Sequence, residues 1–175
     1  ASFELVDIPL IEYVASKGKP IILSTGMSTL GEIIEAVDAI ERQGNNQYAL
    51  LKCSSAYPAI SDEMNLETIR DMKDRLGVPI GLSDHSMGAV GAIVAVTLGA
   101  NIIEKHFCLS REIENPDAAF SMTKEEFAQM VEDIRSAEKA RGIIRYGATC
   151  QERNSLVFRK SIFVVKDIKK GEVFT

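Results

Sequence analysis

The sequence predicts an α/β protein built on a parallel sheet. Three observations carry this. Short apolar runs begin near residues 20, 48, 79 and 101, roughly 20–30 residues apart. Segments with helical spacing lie between them, as crossover helices must when consecutive strands run parallel. Each apolar run also ends in hydroxyl, acidic or histidine side chains, the polarity expected at the working end of such a sheet.

Taken in order, residues 1–5 read as the tail of an earlier strand, followed by a helix over roughly 9–17. Pro20-Ile21-Ile22-Leu23-Ser24 is the first full strand. Thr29-Leu30-Gly31-Glu32 has the form of a capping box, in which threonine and glutamate satisfy each other's free N–H groups. Ile33, Ile34, Val37 and Ile40 then follow at helical spacing. Tyr48 to Cys53 is a second strand, and Asn65 opens a helix with Leu66, Ile69, Met72 and Leu76 on one face, stopped by Gly77. Pro79 to Ser83 is a third strand. Met87 to Leu98 is an almost wholly apolar helix and is expected to be buried. Asn101 to His106 is a fourth strand, and Thr123-Lys124-Glu125-Glu126 caps a helix that turns Phe127, Met130, Val131 and Ile134 inward. These amount to about four and a half βα units. A closed barrel has eight and takes about 250 residues. The pattern therefore fits a doubly wound open sheet or the second half of a barrel.

Residues 143–155 lose the helical period and read as a linker. Leu156-Val157-Phe158 and Ser161 to Val165 return as β-like runs, and Lys169-Lys170-Gly171-Glu172 reads as a turn, together suggesting the first hairpin of a second module over 156–175. Both ends look cut: the chain opens without methionine and stops as that module begins.

Composition narrows the classes. The 175 residues make about one domain, 46% hydrophobic and 26% charged. A formal net charge of -5 argues against a nucleic-acid surface, which needs a basic patch. Three irregularly spaced cysteines, Cys53, Cys108 and Cys150, with no CxxC, argue against a zinc ribbon or a disulfide framework and point to reduced thiols in the cytoplasm. No apolar run is long enough to span a bilayer, and the first residues lack the features of a signal peptide.

The chemistry gathers at the strand ends: Ser2; Ser24 and Thr25; Cys53, Ser54 and Ser55; Ser83, Asp84 and His85; Glu104, Lys105 and His106. His85 and His106 are the chain's two histidines and stand 21 residues apart, one βα unit. The ends of adjacent parallel strands lie about 5 Å apart. Two imidazoles there can share one metal, with Asp84 or Glu104 in its shell, or they simply cap strands through hydrogen bonds. Two nitrogens without a third nitrogen or thiolate suit a water-bearing Mn²⁺ or Mg²⁺ site (Co²⁺ is a further candidate) better than a closed zinc site. The serines are satisfied turn residues or, collectively, hydroxyl donors to an anion. Neither a P-loop, a GxGxxG nor a GxSxG elbow is present.

Four segments bring a family into view: Ile22-Leu23-Ser24-Thr25-Gly26-Met27, Leu51 to Pro58, Gly81-Leu82-Ser83-Asp84-His85, and Ile103-Glu104-Lys105-His106-Phe107. With Pro116-Asp117 and the capped helix after it, they run in order through nearly the whole chain. The chain resembles the sialic acid synthase family, whose members condense phosphoenolpyruvate with an N-acetylated sugar. Ala1 to Glu12 and Asn115-Pro116-Asp117-Ala118-Ala119-Phe120-Ser121 are most similar to its pseudaminic acid branch; neuraminic acid synthases usually carry a histidine after Pro-Asp and an alanine in place of the phenylalanine.

The resemblance implies the C-terminal part of a TIM (β/α)8 barrel over 1–142, about units 4–8, then the linker and the start of an antifreeze-like (SAF) domain. It implies His85 and His106 as ligands of a divalent metal, with Glu104 as an acidic group beside it, all three serving the reaction. Ser2, Ser24, Ser55 and Ser83 would contact phosphoenolpyruvate, and Tyr57 and Asp117 the sugar. It also implies a cytoplasmic enzyme, a homodimer when full length, with neither nucleic acid nor membrane as partner. Other readings are a neuraminate or legionaminate synthase, a related barrel enzyme joining phosphoenolpyruvate to a phosphorylated sugar, and an inactive fragment or binding module. The isolated 175 residues are expected to be inactive, because the family's further phosphate- and substrate-clasping groups belong to segments outside them.

Overall fold

The computed structural model describes residues 1–113 and 115–173. Its strands are β1 (Ile21–Ser24), β2 (Tyr48–Cys53), β3 (Ile80–Asp84) and β4 (Ile102–Lys105). Its helices are α1 (Ile8–Ala15), α2 (Leu30–Arg42), α3 (Thr68–Leu76), α4 (Val90–Thr97) and α5 (Lys124–Arg141). The four strands form one parallel sheet in the order β1-β2-β3-β4. Each crossover thus leads to the next neighbour. Because such crossovers are almost always right-handed, their helices all fall on one face. A doubly wound sheet reverses its strand order part-way; this one does not, and it curves as part of a barrel.

Strand alternation divides the residues. Leu23, Leu50, Ile80 and Leu82 face the helix layer and share a core with Ile33, Ile40, Ile69 and Met72. A second core under β4 joins Ala92, Val96, Met122, Met130 and Ile134, so α5 seals the end of the sheet against α4. The opposite, concave face carries Ser24, Leu51, Cys53, Gly81, Ser83 and Glu104. Both capping boxes form. Thr29 Oγ1 accepts from Glu32 N while Thr29 N donates to Glu32 Oε2 at 2.7 Å; Thr123 and Glu126 repeat the exchange at α5.

Gly81 is required by packing on the concave face. A Cβ there would lie 2.5 Å from both the Ile102 carbonyl oxygen and Leu51 Cδ2. The carbonyl belongs to the adjacent strand and cannot swing aside. Gly81→Ala is expected to cost about 3 kcal/mol, the upper range for overpacking. Denaturant unfolding checks it; a loss below about 0.5 kcal/mol, the scale of an ordinary surface substitution, would contradict the packing.

Several sequence expectations are corrected. Residues 1–5 do not extend a strand: Ser2–Glu4 form one 3-10 turn, with Leu5 N bonded to the Ser2 carbonyl and Leu5 driven into the core. The helix expected from Asn65 starts at Thr68, because Asn65 takes φ 48°, outside the helical region. The apolar helix from Met87 shortens to α4. Its Gly91, Ala92, Ala95 and Val96 are buried, but Met87, Val90 and Val94 remain exposed.

The chain divides into compact units Ala1–Gly142 and Ile143–Thr175. In the second, Glu152–Phe158 form a 3-10 helix and residues 161–165 have no regular pairing, so the expected hairpin is absent from the described residues. A lone two-stranded hairpin has little apolar surface to pack against and is marginal in water. Phe174 and Thr175, the end of the expected second module, lie outside the described residues. Among the described residues, no helix is long and apolar enough to cross a membrane.

Candidate functional site

The concave face opens at the C-terminal strand ends into a cleft of about 320 Å³. Ser2, Ser24, Cys53, Tyr57, Ser83, His85, Glu104 and His106 line it. The period of two explains the set. Ser83 and His85 alternate with Asp84, and Glu104 and His106 with Lys105, so both histidines face one way. Ser83 Oγ donates to Glu104 Oε1 at 2.6 Å, tying β3 to β4 directly beneath them. Asp84, considered above for a metal shell, is instead turned to the helix side.

The two imidazoles meet edge to face, with ring centroids 5.2 Å apart. His85 Nδ1 lies 3.0 Å from the Ser54 carbonyl. A carbonyl only accepts, so Nδ1 carries a proton, and in the neutral ring the lone pair is on Nε2. His106 Nδ1 faces Asp117 Oδ2 at 3.5 Å, which favours the same tautomer. A carboxylate or carbonyl behind Nδ1 is the usual support of a metal-binding histidine. Among the described residues, no three His, Cys, Asp or Glu side chains are grouped to hold an ion. Two imidazoles with hydrogen-bonded Nδ1 atoms are the donors that this end of the sheet could offer a divalent metal.

Tyr57 stacks on His85 at 4.2 Å, and Phe120 packs 4.9 Å from the His106 ring and 5.6 Å from Tyr57. These rings form an apolar wall beside the histidines. The serines gather opposite. Gly26 N donates to Ser2 Oγ at 3.0 Å, and a Cβ on Gly26 would also strike Ser55 Oγ. Ser2, Ser55 and the Gly26 amide thus converge on one spot. Buried Cys53 joins the two groups, its sulfur 3.7 Å from Ser55 Oγ and 3.8 Å from His85 Nδ1. Burial pushes its thiol up, but the contacts with His85, Ser2 and Ser55 outweigh this and bring its pKa down to about 7. The hydrogen bond with Cys53 is the main cause holding His85 above its usual value, against desolvation.

Of the residues singled out from sequence, Ser2, Ser24, Ser83, Tyr57, His85, Glu104 and His106 share the cleft, Ser55 stands at its edge, and Asp117 lies behind His106 rather than among the serines. Cys53 and Gly26 were visible only as members of their segments. Their places depend on β1 and β2 being neighbours, which local sequence does not state.

The NeuB family matches residues 1–146. The chain belongs to the NeuB family. It is 44% identical over 177 residues to the pseudaminic acid synthase of Helicobacter pylori, covering 100% of this chain and 52% of that protein. It is 38% identical over 177 residues to the N,N'-diacetyllegionaminic acid synthase of Campylobacter jejuni, covering 99% and 53%. The N-acetylneuraminic acid synthetase of Leptospira borgpetersenii superposes with a TM-score of 0.79 at 32% identity, over 90% of this chain and 55% of that one. The resemblance to sialic acid synthases is thus borne out, and the parallel arc is a half-barrel of that fold. The chain spans about half the length of the curated relatives it matches.

Proposed function

We propose that this chain supplies part of the active site of a pseudaminic acid synthase. The enzyme would condense phosphoenolpyruvate with 2,4-diacetamido-2,4,6-trideoxy-L-altrose and water, releasing phosphate by C–O cleavage. The observation that carries the reading is the grouping, at one set of strand ends, of the hydroxyls of Ser2, Ser24 and Ser55 with two histidines whose Nδ1 atoms face a carbonyl and a carboxylate.

His85 and His106 would hold the metal, Mn²⁺ or Mg²⁺ on this donor chemistry. When bound, the metal supplies Lewis acidity toward the sugar aldehyde. Ser2, Ser24 and Ser55 would offer hydroxyls to the carboxylate and phosphate of phosphoenolpyruvate, where charge-assisted bonds are strong, while the proton of Ser83, beside them, is given to Glu104. Those three hydroxyls would hold the methylene carbon of phosphoenolpyruvate toward the sugar aldehyde, where the new C–C bond forms as the aldehyde π bond opens and its oxygen takes a proton from water. Glu104, fixed by Ser83, would take the proton of the water adding at the enol carbon, whose bond to the phosphate oxygen then breaks. Tyr57 and Asp117 bound the sugar's side. Phe120 packs beside His106, where a deoxy sugar bearing methyl and acetyl groups fits better than a fully hydroxylated one, which favours the two trideoxy branches over the neuraminate branch.

The test uses the full-length protein with phosphoenolpyruvate and a panel of the altrose substrate, the diacetamido sugar of legionaminic acid synthesis, N-acetylmannosamine and a sugar phosphate. Mass spectrometry should find the nonulosonic acid from the altrose substrate, with phosphate released in equal amount. A product from another N-acetylated sugar alone would move the protein to a neighbouring branch. Turnover of the sugar phosphate alone would overturn the reading.

A further inference from the structure

The cleft accounts for Ser83, His85, Glu104 and His106, but the residues between them form a second assembly on the helix side of the sheet. Asp84 and Lys105 are register partners across β3 and β4. Their side chains are 0% and 1% exposed, and Lys105 Nζ lies 2.8 Å from Asp84 Oδ2. Lys105 Nζ also donates to the Ser86 carbonyl at 2.6 Å. The other carboxylate oxygen, Asp84 Oδ1, accepts from Ser86 N at 2.8 Å and Ser86 Oγ at 2.6 Å. Helix α4 closes over the cluster: a Cβ on Gly91 would stand 3.2 Å from Asp84 Oδ2, 3.0 Å from Ser86 Oγ and 2.7 Å from Met64 Cε.

Stability does not explain this arrangement. Moving two charges out of water is expensive, and a well-packed apolar pair of the same volume is often as stable or more so. What an ion pair adds is directional definition, and here the direction concerns the histidines. Asp84 immediately precedes His85, and Lys105 immediately precedes His106. Lys105 also grips the carbonyl of Ser86, the residue after His85. One ammonium group therefore holds the Asp84 carboxylate on one side of His85 and the Ser86 carbonyl on the other, while anchored one residue before His106. The lysine faces away from the cleft, which also excludes it as a nucleophile there.

We propose that the buried Asp84–Lys105–Ser86 cluster is a positioning clamp that fixes the separation and aim of the His85 and His106 imidazoles so that both reach one metal ion. The inference rests on the metal reading of the histidines given above. Asp84 and Lys105 touch no reactant; they act through the residues beside them.

The experiment titrates Mn²⁺ into the full-length protein, following free Mn²⁺ by electron paramagnetic resonance, with thermal melting run in parallel. The variants are the apolar pair Asp84→Leu/Lys105→Met and the isosteric Asp84→Asn. The wild type should bind Mn²⁺, and the apolar pair should melt close to wild type yet bind Mn²⁺ roughly 10–100-fold more weakly, the range seen when outer supports of metal ligands are lost. Folded apolar-pair protein with wild-type Mn²⁺ affinity overturns the clamp. Should that pair not fold, Asp84→Asn decides the matter: weakened binding supports the clamp and unchanged binding overturns it. Failure of the wild type itself to bind Mn²⁺ overturns the metal reading, and the clamp falls with it, an outcome distinct from equal binding by wild type and variant.

Discussion

Alanine at His106 in the full-length protein is expected to lower the rate of condensation by at least about 10³-fold while leaving the fold intact. The size follows from the ligand count. Among the described residues two protein nitrogens converge here, so on the proposed metal site removing one leaves a single histidine to retain the ion. Losing the Lewis acid forfeits several kcal/mol of transition-state stabilisation, and about 4 kcal/mol corresponds to that factor. The fold should survive because His106 lies beyond the last residue of β4 and its side chain is partly exposed. Its backbone carbonyl still accepts from Met122 N whatever the side chain. Steady-state turnover and Mn²⁺ binding should fall together, with the melting temperature little changed. Turnover retained by a rigorously metal-free His85→Ala/His106→Ala protein would remove the metal from the mechanism altogether.

Much of this site was legible because strand alternation converts sequence directly into facing. Ser83-Asp84-His85 and Glu104-Lys105-His106 are matched triplets one βα unit apart, and once the strands pair in register their first and third members must share a face. Both capping boxes were legible for a similar reason, since their partners lie within one turn. The choice between open sheet and barrel was not, because it depends on which strands are neighbours. Asp84 and Glu104 were not separable as neighbours of a metal, because both carry a carboxylate and only the pleat tells which way each turns. Residues 156–165 misled for the opposite reason: β-branched and aromatic runs record a capacity to pair, and that capacity needs a surface to pack on.

Gly26→Ala is expected to weaken phosphoenolpyruvate binding by roughly 10²–10⁴-fold with little loss of stability. The contrast with Gly81→Ala explains why one methyl group should have two unlike consequences. At Gly81 the obstacle is a backbone carbonyl in the neighbouring strand, so the sheet itself must shift. At Gly26 the obstacles are Ser55 Oγ and, at 2.7 Å, Ser2 Oγ, both at the ends of short rotatable side chains. They can turn away at the cost of their present positions. Ser2 then loses the hydrogen bond from Gly26 N, and both hydroxyls leave the point on which the cluster converges. A hydrogen bond to a charged group contributes about 1.5–3 kcal/mol, so losing two gives the range stated. Calorimetric titration of the full-length protein with phosphoenolpyruvate measures it directly. The Michaelis constant for the sugar should change far less, because Tyr57, Phe120 and Asp117 gather around the histidines instead. Unchanged phosphoenolpyruvate affinity in folded Gly26→Ala protein would move the anion away from the serine cluster.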